Sequence, residues 1–250
     1  MIKIIMHGCC GKMGKVVCSI VNENNDCQIV AGIDPFGNSD DFPVFRSLDD
    51  CNLEADVIID FSVASAVPAL LAYAEKKQFP IVLCTTGLSE ELTANVSEAS
   101  KKVAILKSAN MSIGVNLLFN LVQKAASALA DSGFDIEIVE KHHNQKVDAP
   151  SGTALAIADC INDAIENSYS YIFDRSQKRE KRSKTEIGIH AVRGGNIVGE
   201  HDVIFAGTDE IIEINHRAMS KEIFAVGAVK AAKYLAGKPA GMYTMADVLK

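Results

Sequence analysis

None of the seven cysteines belongs to a C-x-x-C pair, and their scattered positions, with Cys9 and Cys10 adjacent, do not suit a disulfide framework or a cysteine zinc site. The chain also lacks an excess of positive charge: its net charge of −7 argues against a non-specific nucleic-acid binder. It has no apolar run near the ~20 residues that cross a bilayer. The N-terminus, MIKIIMHG, shows no signal-peptide pattern. We therefore expect a soluble cytoplasmic protein with neither membrane nor nucleic-acid partners.

Short apolar runs alternate with helical patterns in the first half of the 250-residue chain. The apolar runs predict strands at Ile2–Met6, Gln28–Ile33, Asp56–Phe61, Ile81–Cys84 and Val103–Leu106. The helical patterns predict helices at Lys12–Asn22, Ala64–Lys77 and Glu90–Lys101. Alternating strands and helices indicate an α/β domain with a doubly wound, Rossmann-like parallel sheet.

The rhythm changes after Asn110. The patterns predict helices at Val115–Ala130, Ala154–Ala164 and Ile223–Leu235, and strands at Asp135–Glu140, Glu186–Val192, Ile197–Phe205 and Ile211–His216. Strands in near succession favour an α+β domain with a mixed sheet. We expect a first domain of residues 1–112 and 222–250 and a second of residues 113–221, in which the basic segment 178–184 is a solvated connection.

A glycine-rich turn, HGCCGKMG, joins the first predicted strand to the first helix. Gly8, Gly11 and Gly14 are three apart, and Cys10 lies near the middle glycine of the common G-x-G-x-x-G pattern. Such turns also occur as plain structure. Asp34, twenty residues after Gly14 at the end of the second strand, favours the binding site, because an acid there can accept hydrogen bonds from a ribose. We interpret the pair as a nicotinamide dinucleotide site.

Two further loops follow predicted strands at the same edge of the sheet. They are CTTG, residues 84–87, and SANMSIG, residues 108–114. The carboxyl ends of parallel strands are where such sheets bind ligands. Ordinary turn chemistry is the alternative for each loop.

The stretch EKHHNQKVDAPSGTA, residues 140–154, places imidazoles and a lysine before a predicted helix start. A helix N-terminus offers unpaired N–H groups to an anion, so cations beside it favour a small anionic substrate. A metal site built from His142, His143 and Asp148 is disfavoured, because adjacent histidines usually point apart and no third histidine follows at helical spacing. A solvated polar loop is the other alternative.

This stretch resembles the signature of the 4-hydroxy-tetrahydrodipicolinate (dihydrodipicolinate) reductase family, and the resemblance runs nearly from end to end. Its matching motifs are the glycine turn, DFS (residues 60–62), TTG (85–87), ANMSIGVN (109–116), EIVEKHHNQKVDAPSGTA (137–154) and VRGGNIVGEH (192–201). The resemblance implies reduction of a cyclic, imine-containing dicarboxylate by NADH or NADPH in lysine biosynthesis through diaminopimelate. It also implies a homotetramer joined through the second-domain sheets. From the ligand spacing we expect no metal.

Carried over residue by residue, the resemblance makes His142 the proton donor and acceptor and Lys146 a proton donor. It assigns substrate binding to His143, Gly152 and Thr153. The implied cofactor contacts are Gly8, Cys9, Cys10, Gly11, Lys12, Met13, Asp34, Cys84, Thr85, Thr86, Ser108, Ala109, Asn110 and Met111. Proton delivery near neutral pH suits an imidazole or an ammonium group.

Two departures from the family pattern concern the cofactor. Cys10 stands where relatives often carry glycine, and Pro35 follows Asp34 where relatives that grip the 2′-phosphate of NADPH often carry a cation. Lys12 is the nearby cation left, so we expect NADH to be used at least as well as NADPH.

Two alternatives to the reductase remain: a dehydrogenase for an amino-acid semialdehyde or aspartate, and a non-catalytic dinucleotide-binding regulator. The histidine stretch disfavours the first, and the lack of a recognisable DNA-binding helix pair disfavours the second. We expect His7 to serve packing and His190, His201 and His216 to have structural or interface roles, and we leave the role of Lys221 open.

Overall fold

The computed structural model of the chain describes residues 1–166 and 169–250. They divide into a first unit, Met1–Ile113 with Glu222–Lys250, and a second unit, Gly114–Lys221.

The first unit is built on a parallel sheet with helices on both faces. Its strands are β1 (Ile2–His7), β2 (Cys27–Ile33), β3 (Val44–Phe45), β4 (Val57–Asp60), β5 (Ile81–Leu83), β6 (Ala104–Leu106) and β12 (Gly241–Tyr243). Its helices are α1 (Lys12–Asn22), α2 (Val67–Lys77), α3 (Glu90–Ser100), α6 (Glu222–Leu235) and α7 (Met245–Val248). The helix α4 (Ile113–Leu129) has its first residue in this unit and the rest in the second. The strand order is β12-β6-β5-β4-β1-β2-β3, and every neighbouring pair is parallel.

Alternate strand residues point to opposite sides of this sheet, and the helices bury both of its faces. Ile4, Met6 and Ile59 pack with α1 and α6. Ile5 and Ile58, one residue away, pack with α2 and α3. Two-sided burial explains why the strands are almost continuously apolar in sequence.

The second unit is built on a five-stranded mixed sheet. Its remaining elements are β7 (Asp135–His142), α5 (Gly152–Ala164), β8 (Ser170–Ile172), β9 (Glu186–Arg193), β10 (Gly199–Ala206) and β11 (Ile211–Ala218). The strand order is β11-β10-β7-β9-β8. β10 is antiparallel to both β7 and β11, whereas β9 is parallel to β7 and β8.

One face of the second sheet is covered by α4 and α5. Ile136, Ile138 and Phe205 pack there against the apolar stripes of the two helices. Strand alternation also turns Glu140 and His142 toward this face, since they continue the register of Ile136 and Ile138. A glutamate and a histidine thus extend an otherwise apolar row.

The opposite face of the second sheet carries ion pairs. Lys141 Nζ lies 2.6 Å from an Asp202 oxygen, and His190 Nε2 lies 2.7 Å from Glu137. Arg182 also donates to Glu137, at 2.9 Å, and to the backbone oxygens of Ile136 and Glu186. The expectation that the whole basic segment is solvated is therefore wrong for Arg182, which is only 17% exposed in its side chain.

The predicted fold class is confirmed: a Rossmann-like parallel sheet and a second, mixed sheet are both present. Three short strands, β3, β8 and β12, and the four-residue helix α7 were not predicted. Each is too short to show a periodic pattern, and β12 forms at the sheet edge by pairing with β6.

Residues 113–132 form the one helix, within the described part of the chain, that is long and apolar enough to span a membrane by length and composition. This criterion is weak evidence by itself, because core helices pass it too. Val115, Leu118, Val122 and Ala126 are buried in the protein.

Candidate active site

The glycine turn between β1 and α1 is packed so closely that two of its positions need glycine. Gly8 has a φ of +81°, and a Cβ on it would lie 2.7 Å from the Phe61 carbonyl oxygen. A Cβ on Gly14 would lie 2.1 Å from the Gly8 oxygen. Gly11, the exposed N-cap of α1, has no side chain to occupy the first N–H groups of the helix, which leaves them available to an anion.

Asp34 directly follows β2 and touches this turn. One of its carboxylate oxygens accepts the Cys10 N–H at 3.1 Å and the other accepts the Phe36 N–H at 3.0 Å. The structure thus brings together the two sequence features that predicted a dinucleotide site. Lys12 is exposed, and Met13 is half-buried.

A cavity of about 590 Å³ lies at the carboxyl ends of β5 and β6. The two loops predicted to contact a cofactor line it, through Cys84, Thr85, Thr86, Ser108, Ala109, Asn110 and Met111, together with Met13, Phe61 and Phe224. All of these residues belong to the first unit. The volume lies within the ~300–1,000 Å³ range of small-molecule sites.

A buried aspartate holds the first of these loops. Asp60 is fully buried and accepts the Thr85 hydroxyl at 2.6 Å and the Ser62 N–H at 3.2 Å. His7 Nδ1 lies 2.8 Å from the same carboxylate. Burial, followed by the charge of Asp60, raises the pKa of Cys84 well above its ordinary value, so this thiol stays protonated.

In the second unit, His142 stands at the end of β7 against a buried carboxylate. Its Nδ1 lies 2.6 Å from Glu140 Oε2. Glu140 is fully buried and receives two guanidinium hydrogen bonds from Arg193, both of 2.7 Å, and the Ser151 N–H at 2.9 Å. Arg193 and Ser151 hold the Glu140 carboxylate in place, and the carboxylate in turn holds the His142 imidazole in one orientation.

These contacts set the protonation of the group. Burial alone would raise the pKa of Glu140, but hydrogen bonds from Arg193 and His142 outweigh it and hold that pKa below its ordinary value. Burial lowers the pKa of His142, while Glu140 works in the opposite direction and the charges of Lys146 and Arg193 add to the lowering. Burial and then the charge of His142 lower the pKa of His201 to about 4.

The N-terminus of α5 lies beside this histidine. Ser151 is its N-cap and accepts the Ala154 N–H at 3.1 Å, and His201 Nε2 lies 3.2 Å from the Ser151 hydroxyl. The rings of His142 and His201 are in edge contact, with centroids 5.3 Å apart. Gly152 is exposed, and a Cβ built on it would meet nothing within 4 Å.

The predicted lysine lies in the same loop. Lys146 Nζ is 2.8 Å from Asp148 Oδ1, and the Lys146 N–H donates to the His143 carbonyl at 3.1 Å. His143 and Thr153 are half-buried. The Lys146 hydrogen bond lowers the pKa of Asp148, so the loop carries a paired cation and anion next to the helix N-terminus.

Sequence reasoning gave no role to Glu140 or Arg193 and only a structural or interface role to His201. The available signal was the alternation of β7, which places Glu140 on the same face as Ile136 and Ile138. A charge on an apolar strand face must find a buried partner. Which residue would be that partner could not be read from the sequence, since Arg193 lies 53 positions away.

In open sheets of this topology a ligand binds where the strand order reverses, over the carboxyl ends of the two central strands. Here the reversal falls between β1 and β4, where the glycine turn begins and Asp60 ends its strand. The close packing of Gly8 and Gly14 and the first turn of α1 fit a pyrophosphate, and Asp34 fits a ribose. The first unit belongs to the class of dinucleotide-binding folds found in oxidoreductases.

Comparison with known proteins narrows this class. The sequence profile of the dihydrodipicolinate reductase N-terminus matches residues 2–111, and that of the C-terminus matches residues 114–249. The chain is 56% identical over 250 residues to 4-hydroxy-tetrahydrodipicolinate reductase of Caldanaerobacter subterraneus subsp. tengcongensis, covering 100% of this chain and 99% of that one. It is 50% identical to the Clostridium botulinum reductase, covering 100% of this chain and 98% of that one.

A solved structure with the same fold is the dipicolinate-bound dihydrodipicolinate reductase from Paenisporosarcina sp. TG-14. Its TM-score is 0.81 at 23% identity, over 98% of this chain and 97% of that chain. The chain belongs to the dihydrodipicolinate reductase family. It is accordingly an oxidoreductase of lysine biosynthesis through diaminopimelate and uses NADH or NADPH.

Proposed function

We propose that this chain reduces 4-hydroxy-tetrahydrodipicolinate to tetrahydrodipicolinate with His142 and Lys146 as its proton-transferring groups. The observation that carries the assignment is the buried Glu140, which holds His142 Nδ1 at 2.6 Å beside the N-terminus of α5. Because Glu140 occupies Nδ1, Nε2 is the ring nitrogen left for the substrate.

The bound nicotinamide supplies the hydride that reduces the ring. The groups proposed to hold the cofactor are those of the glycine turn, Asp34, and the loops 84–86 and 108–111. Electron density moves toward the ring nitrogen as reduction proceeds, so a proton must follow. The chain delivers it from His142 or Lys146, and the lowered pKa of His142 makes its imidazolium a stronger acid that is the minor form at neutral pH.

The substrate carboxylates are assigned to the N-terminus of α5 and the cations beside it. Gly152 and Thr153 open the helix, where N–H groups and the positive end of the helix dipole favour anions. His143 and Lys146 lie in the preceding loop. The relative from Paenisporosarcina was solved with dipicolinate, a flat ring with two carboxylates, which has the charge pattern that this arrangement suits.

Residues 1–112 with 222–250 are assigned to cofactor binding, and residues 113–221 to substrate binding and assembly. A homotetramer joined through the second sheet is part of the proposal. The face of that sheet opposite α4 and α5 supports it, because Val192 and Ile211 are 44% and 64% exposed there among the ion pairs. We infer a cytoplasmic location from the biosynthetic role.

Replacement of Lys146 tests the assignment. We expect Lys146→Ala to lower kcat by ~10²–10⁴-fold, the usual contribution of a positioned general acid. NADH affinity, measured by direct titration, should not change, since the residues proposed to bind it lie in the first unit. Lys178→Ala is the matched control, because Lys178 lies in the same unit and its Nζ makes a long, 4.0 Å contact with Glu180. A wild-type kcat in Lys146→Ala would contradict the role.

A further inference from the structure

A second, smaller cavity lies beside the glycine turn and is rich in sulfur. It has a volume of about 290 Å³ and is lined by Cys9, Cys10 and Cys18, together with Asp41 and Phe42. Cys9 and Cys18 are buried, whereas Cys10 is half-buried.

The turn brings two of these thiols to the spacing that a tetrahedral metal ion requires. Side chains of adjacent residues point apart in a strand, but Cys9 Sγ and Cys10 Sγ lie 3.7 Å from each other. A tetrahedral ion with metal–sulfur bonds of ~2.3 Å separates its sulfur ligands by about 3.8 Å. An Asp34 carboxylate oxygen completes a set of three ligand atoms that all lie within 4.8 Å of one another.

The ligand types decide which cations suit this set, since each thiol must lose its proton to bind a metal. Thiolates select soft or borderline ions, which excludes Mg²⁺ and Ca²⁺.

We propose that Cys9, Cys10 and Asp34 form a binding site for one thiophilic divalent cation, of the Zn²⁺ or Cd²⁺ type, and that this ion and the dinucleotide exclude each other. Each thiol exchanges its S–H bond for a sulfur–metal bond, so two protons leave for each ion bound and nothing is oxidised. The exclusion rests on the proposed function, in which Asp34 and the turn hold the cofactor. The site is separate from the histidine loop. The adjacent positions of Cys9 and Cys10 argue against a zinc site in sequence, and the 3.7 Å separation of their sulfur atoms in the folded turn reverses that expectation.

Titration with Cd²⁺ alone tests the site. The reduced, metal-free protein should develop the ultraviolet charge-transfer absorption of a cadmium thiolate, saturating at one ion per chain. Calorimetry in buffers of different ionisation enthalpy should give about two protons released per ion. Cys10→Ser should weaken binding at least tenfold. Cys160→Ser is the control, since this half-buried thiol lies in the second unit and should leave the titration unchanged.

The outcomes separate the parts of the proposal. Equal Cd²⁺ affinity in wild type and Cys10→Ser, with both variants folded by circular dichroism, would overturn the site. Saturating NADH should lower the apparent Cd²⁺ affinity at least tenfold, and an unchanged affinity would overturn the exclusion. A protein that fails to bind NADH in a metal-free titration would overturn the proposed cofactor site instead, while the Cd²⁺ titration would still decide the metal site.

Discussion

A single buried carboxylate organises the chemistry of the second unit. Glu140 is fully buried, and an unpaired charge there would cost several kcal/mol. Arg193 compensates this charge with two hydrogen bonds of 2.7 Å. The same carboxylate fixes the orientation of the His142 ring through its contact with Nδ1. We therefore regard Glu140 as a positioning residue that acts through His142.

Glu140→Gln should move the pH dependence of the reaction. The substitution removes the charge that raises the pKa of His142 and leaves the opposing Arg193 charge, so the His142 pKa falls further. In the pH profile of kcat/KM, the limb that reports the ionisation of His142 should shift to lower pH. Activity at neutral pH should therefore fall.

Glu180→Gln, in the exposed basic segment, is the control for this pH profile. Breaking a buried ion pair also costs about 3–5 kcal/mol of stability, so both profiles are measured well below the melting temperature. Identical profiles for wild type and Glu140→Gln would show that Glu140 is only structural.

The residue types of the site could be predicted from the sequence, but their contacts could not. HHNQK before PSGT indicates cations beside a helix N-terminus because both lie within one stretch of chain. The link from Glu140 to Arg193 depends on the parallel pairing of β7 with β9, which no local pattern encodes. The contact of His142 with His201 depends likewise on the position of β10 beside β7.

At the scale of elements, the start of α5 is the feature to which we assign substrate binding. Ser151 caps the helix by accepting the Ala154 N–H, and Gly152 and Thr153 form its first turn, where the positive end of the helix dipole lies. Gly152→Val should raise the KM for the substrate at least tenfold, because the isopropyl group would cover this end of the helix.

Structural damage is not expected from Gly152→Val, since the added Cβ meets nothing within 4 Å. The melting temperature and the NADH affinity should therefore stay close to those of wild type, and Gly152→Ala should give a smaller effect in the same direction. Parallel losses of affinity for substrate and NADH would place Gly152 outside the substrate site.

Element prediction succeeded where burial imposes a period and failed where pairing alone makes a strand. The alternation of β7 and the two-sided burial of β1 and β4 are visible in the sequence. β12 has three residues, and one of them, Met242, is 44% exposed. Its strand conformation therefore depends on its pairing with β6 rather than on a pattern of its own.

At the scale of the whole molecule, buried histidines make stability depend on pH. The pKa of His201 is lowered to about 4, and those of His142 and His216 are also lowered, mainly by burial. Between about pH 6.5 and pH 4 the unfolded chain binds more protons than the native one, so stability rises with pH across this window. His201 alone accounts for at most ~3 kcal/mol, lost as the pH falls through the window.

Urea unfolding at about pH 7.5 and about pH 5 measures this dependence. The midpoint should be lower at the acidic pH, and His201→Gln, which keeps a hydrogen-bonding group near Ser151, should reduce the difference. Equal midpoints for wild type at both values would show that these histidines are not buried in the neutral form.

Charge around the glycine turn bears on the choice of cofactor. In the proposed cofactor site Asp34 places an anion near the 2′-phosphate of NADPH, Pro35 adds no charge, and the following loop carries Asp40 and Asp41. Lys12 is exposed and is the nearby cation of the turn. An uncompensated anion should disfavour the phosphate by about 1 kcal/mol or more, on the order of a tenfold preference. We expect kcat/KM with NADH to equal or exceed that with NADPH.

The most direct test of the account couples the purified protein to the synthase that precedes it in the pathway and follows nicotinamide absorbance at fixed ionic strength. We predict oxidation that requires both proteins and the synthase substrates, forms one tetrahydrodipicolinate per nicotinamide oxidised, and proceeds with NADH at least as efficiently as with NADPH. A clear preference for NADPH would contradict only the interpretation of the charges around Asp34. Binding of NADH without any synthase-dependent oxidation would contradict the central claim.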